Sequence, residues 1–294
     1  MKFDHITVCG SDLEKMRREF SSVGIPTQYG GQHANGLTHM ALAGFDDGSY
    51  LELIAPLENV GLNAAKATGM MAGWVPLMTG NAGAGAWAVR AEGIQATCEK
   101  LRSRGIAVRG PERGGRARPD GARLEWETAV VGPGPAGSVL PFMIEDLTDR
   151  SLRVRTSPFA LMVSGVGAVV IGVRDLNATA SLFQQAYGWQ PPSVEEHAGF
   201  GAKLAGFATA KPEGPGGNAE ANVILAAPSG PASWLVKRIE EFGECPLAFL
   251  LRQNIATQKK DASQHVRNEI WFGRRVIWLG PSSPVSARIG LVSA

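Results

Sequence analysis

The sequence of 294 residues has little net charge and no long apolar run. A formal net charge of +2 creates no strong field, so we expect neither a nucleic-acid partner nor a membrane partner. The most apolar stretch, residues 159–173, contains three glycines and is shorter than the roughly 20 residues that span a membrane. The opening MKFDHITV lacks the basic and apolar regions of a signal peptide, so we expect a cytoplasmic protein.

Cysteines and nucleotide motifs are also scarce. Cys9, Cys98 and Cys245 lie far apart with no CxxC pair, which predicts buried, reduced thiols instead of disulfides or metal ligands. The chain has no P-loop, GxSxG or HExxH motif. GAGAWA at 83–88 precedes a strand and does not join a strand to a helix, so it is not a dinucleotide-binding loop.

What the sequence does contain is a repeated β-α-β-β-β pattern. In residues 1–56, FDHITVCG alternates like a strand, SDLEKMRREFSSVG has helical spacing, and three short strand-like segments follow. The same order recurs across 83–146 and 165–228, and an eroded copy covers 244–280.

A charged segment at 146–158, ending in proline, separates the two pairs of repeats. We therefore predict an α+β fold built from paired β-α-β-β-β modules. The predicted domains are 1–150, which contains the candidate site, and 159–294, a degenerate copy.

Alternation along the strands predicts which side chains share a face. Phe3, His5 and Thr7 fall together, as do Tyr50, Glu52 and Ile54. We expect one purely apolar set to pack against the first helix: Ile6, Val8, Met40, Leu42, Leu51 and Leu53. The concave face would then carry His5, His39 and Glu52.

Four motifs in order across about 1–146 resemble the vicinal-oxygen-chelate superfamily, and more closely its glyoxalase-like subfamily: DHITVCGSDLEKM, GGQHANGLTHMALAG, YLELIAP and LPFMIED. The resemblance implies the glyoxalase/bleomycin-resistance/dioxygenase fold, in which paired modules form two half-open, cup-shaped mixed sheets, with the active cup in the first domain. It also implies metal ligands on the first and fourth strands of a module, and the matching residues are His5 and Glu52. Imidazole and carboxylate suit a divalent Zn, Fe, Mn, Ni or Co ion.

Other polar residues are candidates for the remaining roles. The first-strand position of the second module falls on Ala86, which cannot ligate, while its last strand offers Glu145. Glu145 and His39 are therefore candidates for moving a proton. For substrate contact the candidates are His33 in the glycine-rich turn, Trp87, and Arg118 of an arginine-rich loop at 109–123. Each has a plainer interpretation: structural histidines, ion-paired carboxylates, a core tryptophan and a solvated loop.

These features favour a metal-dependent lyase or isomerase that acts on a small oxygenated metabolite. A metal-free binding or sequestration protein is the alternative, favoured by Ala86. An extradiol-type dioxygenase would need His39 as its second histidine. In the later copy, Ala168 and Ile224 stand where His5 and Glu52 would be, so we expect a single active cup. Homodimer formation stays open.

Overall fold

The computed structural model describes residues 1–58, 60–61, 69–118, 120–157, 163–209, 220–254, 265–279 and 288–293. The strands are β1 (Phe3–Cys9), β2 (Gln28–His33), β3 (Thr38–Gly44), β4 (Tyr50–Pro56), β5 (Gly83–Arg90), β6 (Val108–Ala117), β7 (Arg123–Val131), β8 (Phe142–Asp146), β9 (Val163–Gly172), β10 (Ser193–His197), β11 (Ala202–Ala208), β12 (Ala221–Pro228), β13 (Pro246–Gln253), β14 (His265–Trp271), β15 (Arg274–Leu279) and β16 (Arg288–Ser293). The α-helices are α1 (Leu13–Ser22), α2 (Val75–Thr79), α3 (Ile94–Ser103), α4 (Arg150–Arg153), α5 (Leu176–Tyr187) and α6 (Trp234–Phe242).

The first eight strands form a closed barrel in the order β1-β4-β3-β2-β6-β7-β8-β5. Each module contains one parallel pair, β1 with β4 and β5 with β8, and the modules join through antiparallel β1 and β5. The paired-module α+β fold is confirmed. The sheet closes, however, where the sequence predicted a half-open cup, because β2 and β6 pair at Gln32 with Ala117 and at His33 with Arg116.

The second sheet repeats the arrangement without closing. Its order is β10-β11-β12-β9-β13-β16-β15-β14, again with two modules joined at antiparallel first strands, β9 and β13. The segment between β13 and β14, part of the eroded fourth repeat, lies outside the described residues.

Strand β6 occupies most of the segment that the sequence analysis treated as an arginine-rich loop, so that prediction was wrong. Its glycines hide the strand signal, because glycine disfavours strands in general. They are needed here for close approach: a Cβ on Gly114 would lie 2.7 Å from Nε1 of Trp126, and one on Gly115 would lie 2.7 Å from the carbonyl oxygen of Leu124.

One continuous apolar core connects the two sheets. It includes the helix-facing side chains of the first barrel, the buried face of α1 and much of the second sheet. All three cysteines are buried and free, as predicted. None of the helices in the described part of the chain is long and apolar enough to cross a membrane.

The two ends of the barrel are covered differently. Near one end, the apolar side chains of α2 pack against Cys9, Ile54 and Cys245. Near the other end, the short helix α4 contributes arginines that bond to groups on the strands. The interior polar groups therefore lie between an apolar cover and an ionic one.

Trp87 lies in the connecting core and not in a pocket, which corrects its assignment to substrate contact. Its side chain is fully buried, its ring stacks on Phe183 of α5 at 6.5 Å between centroids, and its Nε1 donates to the carbonyl oxygen of Val139. Trp87 therefore links the first barrel to the second sheet.

We expect Trp87→Ala to lower the free energy of unfolding by about 3–5 kcal/mol, because a large buried ring leaves a cavity. Trp87→Phe should lose much less, since it keeps a ring against Phe183. Urea denaturation of both variants measures the difference. Equal stability of Trp87→Ala and the wild type would contradict a core position.

Candidate functional site

Three side chains meet around one carboxylate inside the first barrel. Glu52 of β4 is the register partner of Thr7 on β1, and the Thr7 hydroxyl donates to its Oε2 over 3.4 Å. Nε2 of His5 lies 3.5 Å from Oε2, and Nε2 of His33 lies 3.7 Å from Oε1. The sequence predicts that His5 and Glu52 share a face, and they do; His33, which it assigns to a turn, joins them from the end of β2.

A β-bulge positions the group behind His5. The β1–β5 register shifts between Phe3 and His5, so Asp4 leaves the simple alternation. Phe3 packs with the helix-side core instead of sharing the His5 face, which corrects that prediction. Asp4 is fully buried, and its Oδ1 lies 2.7 Å from Nδ1 of His5 while its Oδ2 accepts from Arg150 over 2.7 Å.

The Asp4 contact determines which ring nitrogen of His5 donates a hydrogen bond to Asp4. Burial alone would raise the pKa of Asp4, but Arg153, His5 and Arg150 outweigh it and hold the pKa well below its usual range. An ionised carboxylate only accepts hydrogen bonds, so Nδ1 of His5 carries the proton that it donates to Asp4. Nε2 then points towards Glu52 and, although it is buried, has no hydrogen-bond partner in the described part of the chain.

Aromatic rings hold the His5 imidazole in place. Tyr50 stacks on it at 4.7 Å between centroids, and Phe142 meets it edge-on at 5.3 Å. These contacts restrict rotation of the ring, so the direction of Nε2 is set by packing as well as by Asp4.

Glu52 is ionised at neutral pH. Burial by itself would raise the pKa of this carboxyl, but the imidazole of His33 and the charges of His5 and Arg153 lower the pKa to about 2. A buried carboxylate of this kind needs cationic or hydrogen-bonding neighbours, and two imidazoles and a hydroxyl supply them.

An ionic cluster below this site was missed by the sequence analysis. Arg153 donates to Asp146 over 2.5 Å and to the Tyr50 hydroxyl over 3.1 Å, and its guanidinium lies 4.6 Å from the Trp126 ring. Arg150 bonds to both Asp4 and Asp146. Arg150, Arg153 and Asp146 all lie in the charged segment at 146–158, for which the sequence predicts only a domain boundary.

His39 faces away from the barrel interior, so its predicted place on the concave face is wrong. Its register partner is Ala55, which shares the helix-facing core with Leu51 and Leu53. The acidic groups nearest to it belong largely to the α1 region, and burial lowers the pKa of His39. Met40 and Leu42 face inward in its place, because the smaller alanines of β3 lie beneath α1.

Glu145 caps a helix and does not reach the interior. Its two carboxylate oxygens accept from the backbone N–H groups of Gly93 and Ile94, at 2.7 and 2.8 Å, at the start of α3. Its strand neighbour Ile144 faces the barrel interior, so Glu145 faces the opposite side. A carboxylate at a helix N-terminus satisfies unpaired donors and complements the helix dipole.

The second module contributes apolar groups where the first has polar ones. In the β1–β5 register His5 pairs with Ala88, Ile6 with Trp87 and Thr7 with Ala86. A two-fold axis through the Ile6–Trp87 pair exchanges the two strands. The residue before Trp87, Ala86, is therefore the counterpart of His5, the residue before Ile6. Since Ala88, the counterpart of Thr7, pairs with Phe142, Phe142 corresponds to Glu52. Two of the four symmetric positions are therefore alanine and phenylalanine.

The second sheet carries no equivalent site at these positions. Ile224 pairs with Val170 in the same register that pairs Glu52 with Thr7, and Ala168 lies two residues before Val170 as His5 precedes Thr7. Ala168 and Ile224 are both buried in an apolar cluster. The structure therefore confirms the predicted correspondence of Ala168 with His5 and of Ile224 with Glu52.

The donor types at His5 and Glu52 fit a divalent transition metal. Among the residues the structure describes, no three His, Cys, Asp or Glu side chains lie close enough to hold an ion. A buried, unpaired imidazole nitrogen that faces a carboxylate nevertheless matches metal-ligand chemistry, and the Asp4 contact resembles the second-shell bond that orients such histidines. Water or substrate would complete the coordination.

Two cavities adjoin the β2–β6 seam. One, of about 530 Å³, is lined by His33 and by side chains of β6 and β7. The other, of about 230 Å³, is lined by Arg118, which the sequence analysis proposed for substrate contact, and by Leu42, the register partner of Glu52. Arg116 lines both.

The chain is similar to one family model and to several solved structures. The family model described as a glyoxalase-like domain matches residues 3–187. A hypothetical protein from Staphylococcus aureus aligns over 100% of this chain and 99% of its own, with 15% identity and a TM-score of 0.64. Methylmalonyl-CoA epimerase from Mycobacterium tuberculosis aligns over 45% of this chain and 88% of its own, with 23% identity and a TM-score of 0.36. No protein of curated function matches.

Glu145→Ala should lower the free energy of unfolding by about 1–2 kcal/mol, because α3 loses its cap. Glu127, its register partner on β7, is the matched control: Glu127→Ala removes a carboxylate from the same face that has only a 4.0 Å contact with an exposed arginine. We expect that variant to change stability by less than about 0.5 kcal/mol. Denaturant titration of both compares them, and equal effects would contradict the capping role.

In the chelator-treated protein, the stabilising contribution of the Glu52 carboxylate should be lost in acid. Its folded-state pKa lies below the unfolded value, so its contribution is complete above the unfolded pKa and is lost as pH falls towards about 2. The loss should be about 3 kcal/mol between about pH 5 and pH 2. Urea titrations over this range should give a flatter profile for Glu52→Gln than for the wild type; parallel profiles would contradict the lowered pKa.

Proposed function

Because this chain belongs to the glyoxalase-like domain family, we propose that its first barrel is the active site of a metal-dependent enzyme of the lyase or isomerase type. Its substrate is a small oxygenated metabolite. The metal ligands are His5 and Glu52. The observation that carries the proposal is the buried Nε2 of His5, which makes no hydrogen bond within the described residues and lies 3.5 Å from a carboxylate oxygen of Glu52.

The electrostatics of this pair support a cation between them. Nδ1 of His5 faces the carboxylate of Asp4 and Nε2 faces the carboxylate of Glu52, so the imidazole lies between two acceptor-only groups. Either a proton on Nε2 or a metal ion between Nε2 and Glu52 would satisfy this buried arrangement. A divalent ion there would supply Lewis-acid polarisation of a substrate carbonyl.

The chain's own residues have separate tasks in this proposal. Asp4 holds His5 in one tautomer, and Thr7 hydrogen-bonds to Glu52. His33 lines the 530 Å³ cavity and faces Glu52, while its Nδ1 lies 2.9 Å from the Thr38 hydroxyl. We assign His33 to substrate contact and to proton movement, the role that Glu145 and His39 were expected to have. An extradiol dioxygenase would need His39 as its second histidine ligand. His39 faces away from the barrel interior, so it cannot serve as that ligand.

A metal-free binding protein is the second candidate, and one observation favours it. Ala86 and Phe142 occupy the positions where the second module would supply ligands, so half of a symmetric metal site is apolar. A cup with these residues could enclose a small molecule without catalysis.

Elemental analysis of the purified protein separates the two candidates. We expect about one metal ion per chain after exposure to Fe, Mn, Ni, Co or Zn, and an approximately tenfold or greater loss in His5→Ala and Glu52→Gln. His39→Ala is the matched control, since it removes a nearby imidazole from the opposite face and should leave the metal content unchanged. Circular dichroism confirms that each variant is folded.

A folded wild-type protein that takes up none of these metals would overturn the metal-dependent enzyme and favour the binding protein. Equal metal loss in His39→Ala would also contradict the site, because that side chain does not face the interior.

A further inference from the structure

An unusual concentration of guanidinium groups lies on one side of the β2–β6 seam. The 230 Å³ cavity is lined by Arg116, Arg118, Arg153 and Arg155, with Asp120 as its acidic lining residue. Arg116 and Arg153 are each about 6% exposed. Buried arginines are usually paired with carboxylates, so the partners of these four decide what the cavity is suited to hold.

Three of the four arginines have carboxylate partners within the protein. Arg153 pairs with Asp146, while Arg118 and Arg155 share Asp120, at 2.6 and 3.8 Å. Asp146 is itself shared with Arg150. The carboxylates are thus fewer than the guanidinium groups that they neutralise.

Arg116 is the exception. Its guanidinium donates to the backbone carbonyl oxygens of Gly30 and Arg153, and no carboxylate in the described part of the chain lies within 4.0 Å of it. Carbonyl oxygens hold the group in place but carry no full negative charge. Burial and the neighbouring Arg153 lower the pKa of Arg116, and Tyr50 and Glu52 offset only part of that effect.

The position of Arg116 connects this cavity to the candidate active site. Arg116 is the register partner of His33, so the two side chains share the inner face of the seam. Leu42, which also lines the cavity, is the register partner of Glu52. A group bound at Arg116 would therefore lie one strand away from both residues.

We propose that this cavity is an oxyanion subsite in which Arg116 and Arg118 bind a carboxylate or phosphate group of the substrate. The planar guanidinium fork matches the geometry of either group, and the ligand would supply the negative charge that Arg116 lacks. Only the statement that the oxyanion belongs to the substrate rests on the proposed function. The substrate class is then an anionic oxygenated metabolite.

Calorimetric titration with inorganic phosphate, and separately with glycolate, tests the subsite in the full chain. We expect saturable one-to-one binding of at least one of them by the wild type, and the tighter probe identifies the preferred group. Arg118→Gln should raise the Kd by about ten- to a hundredfold, the effect of losing one charged hydrogen bond. Arg116→Lys keeps the charge but not the fork, and should also raise it by about tenfold or more.

Arg113→Gln is the matched control. Arg113 lies on β6 with Arg116, but its side chain is 79% exposed and lines the 530 Å³ cavity instead of the 230 Å³ cavity. Its Kd should stay within about twofold of the wild type. Equal weakening in Arg113→Gln and Arg118→Gln would mean general charge attraction and overturn the subsite. So would the absence of saturable binding of both probes to folded wild-type protein.

Metal analysis of the same preparations keeps the two proposals apart. Phosphate or glycolate binding without metal supports the subsite and contradicts the metal-dependent enzyme. Metal uptake without binding of either probe supports the enzyme and contradicts the subsite.

Discussion

The first barrel depends most on the two contacts that the buried carboxylate of Asp4 makes. It bonds to His5 on one side and to Arg150 of α4 on the other, and it has no solvent exposure. Removing one partner from such a buried pair typically costs about 3–5 kcal/mol. The same contact that orients the site histidine therefore also attaches the charged cover of the barrel end, so site geometry and barrel stability are coupled.

Much of the architecture could be predicted from the sequence, because alternation and helical spacing are local signals. The repeated modules, the buried thiols and the inward direction of His5 and Glu52 follow from that pattern. The errors arose where tertiary contacts override it. A bulge at Asp4 breaks the alternation, and small alanines of β3 lie under α1 while Met40 and Leu42 fill the interior. Hydrophobicity alone predicts that the larger Met40 and Leu42, and not the alanines, pack beneath α1.

The candidate site was predictable in part for the same reason. His5 and Glu52 stand in regularly alternating strands, so their shared face could be predicted; His33 lies in a strand whose glycines resemble a turn, so its place beside Glu52 could not. Glu145 could not be placed, since one residue of register decides whether it faces the barrel or the start of α3. The sequence offers Arg116 as an anion ligand only together with Arg113 and Arg118 of the same segment, and its position beside His33 is visible only in three dimensions.

The core shared by Trp87 and Phe183 has a consequence for how the chain can be divided. A fragment ending near residue 150 would keep all eight strands of the barrel but would expose the helix-facing side of β5, which α5 and the second sheet now cover. Such a surface favours aggregation. The match to the glyoxalase-like family extends to residue 187, the last residue of α5, so the matched segment includes α5 together with the barrel. The stability of the barrel therefore depends on residues outside its own eight strands, because α5 and the second sheet cover the apolar side of β5.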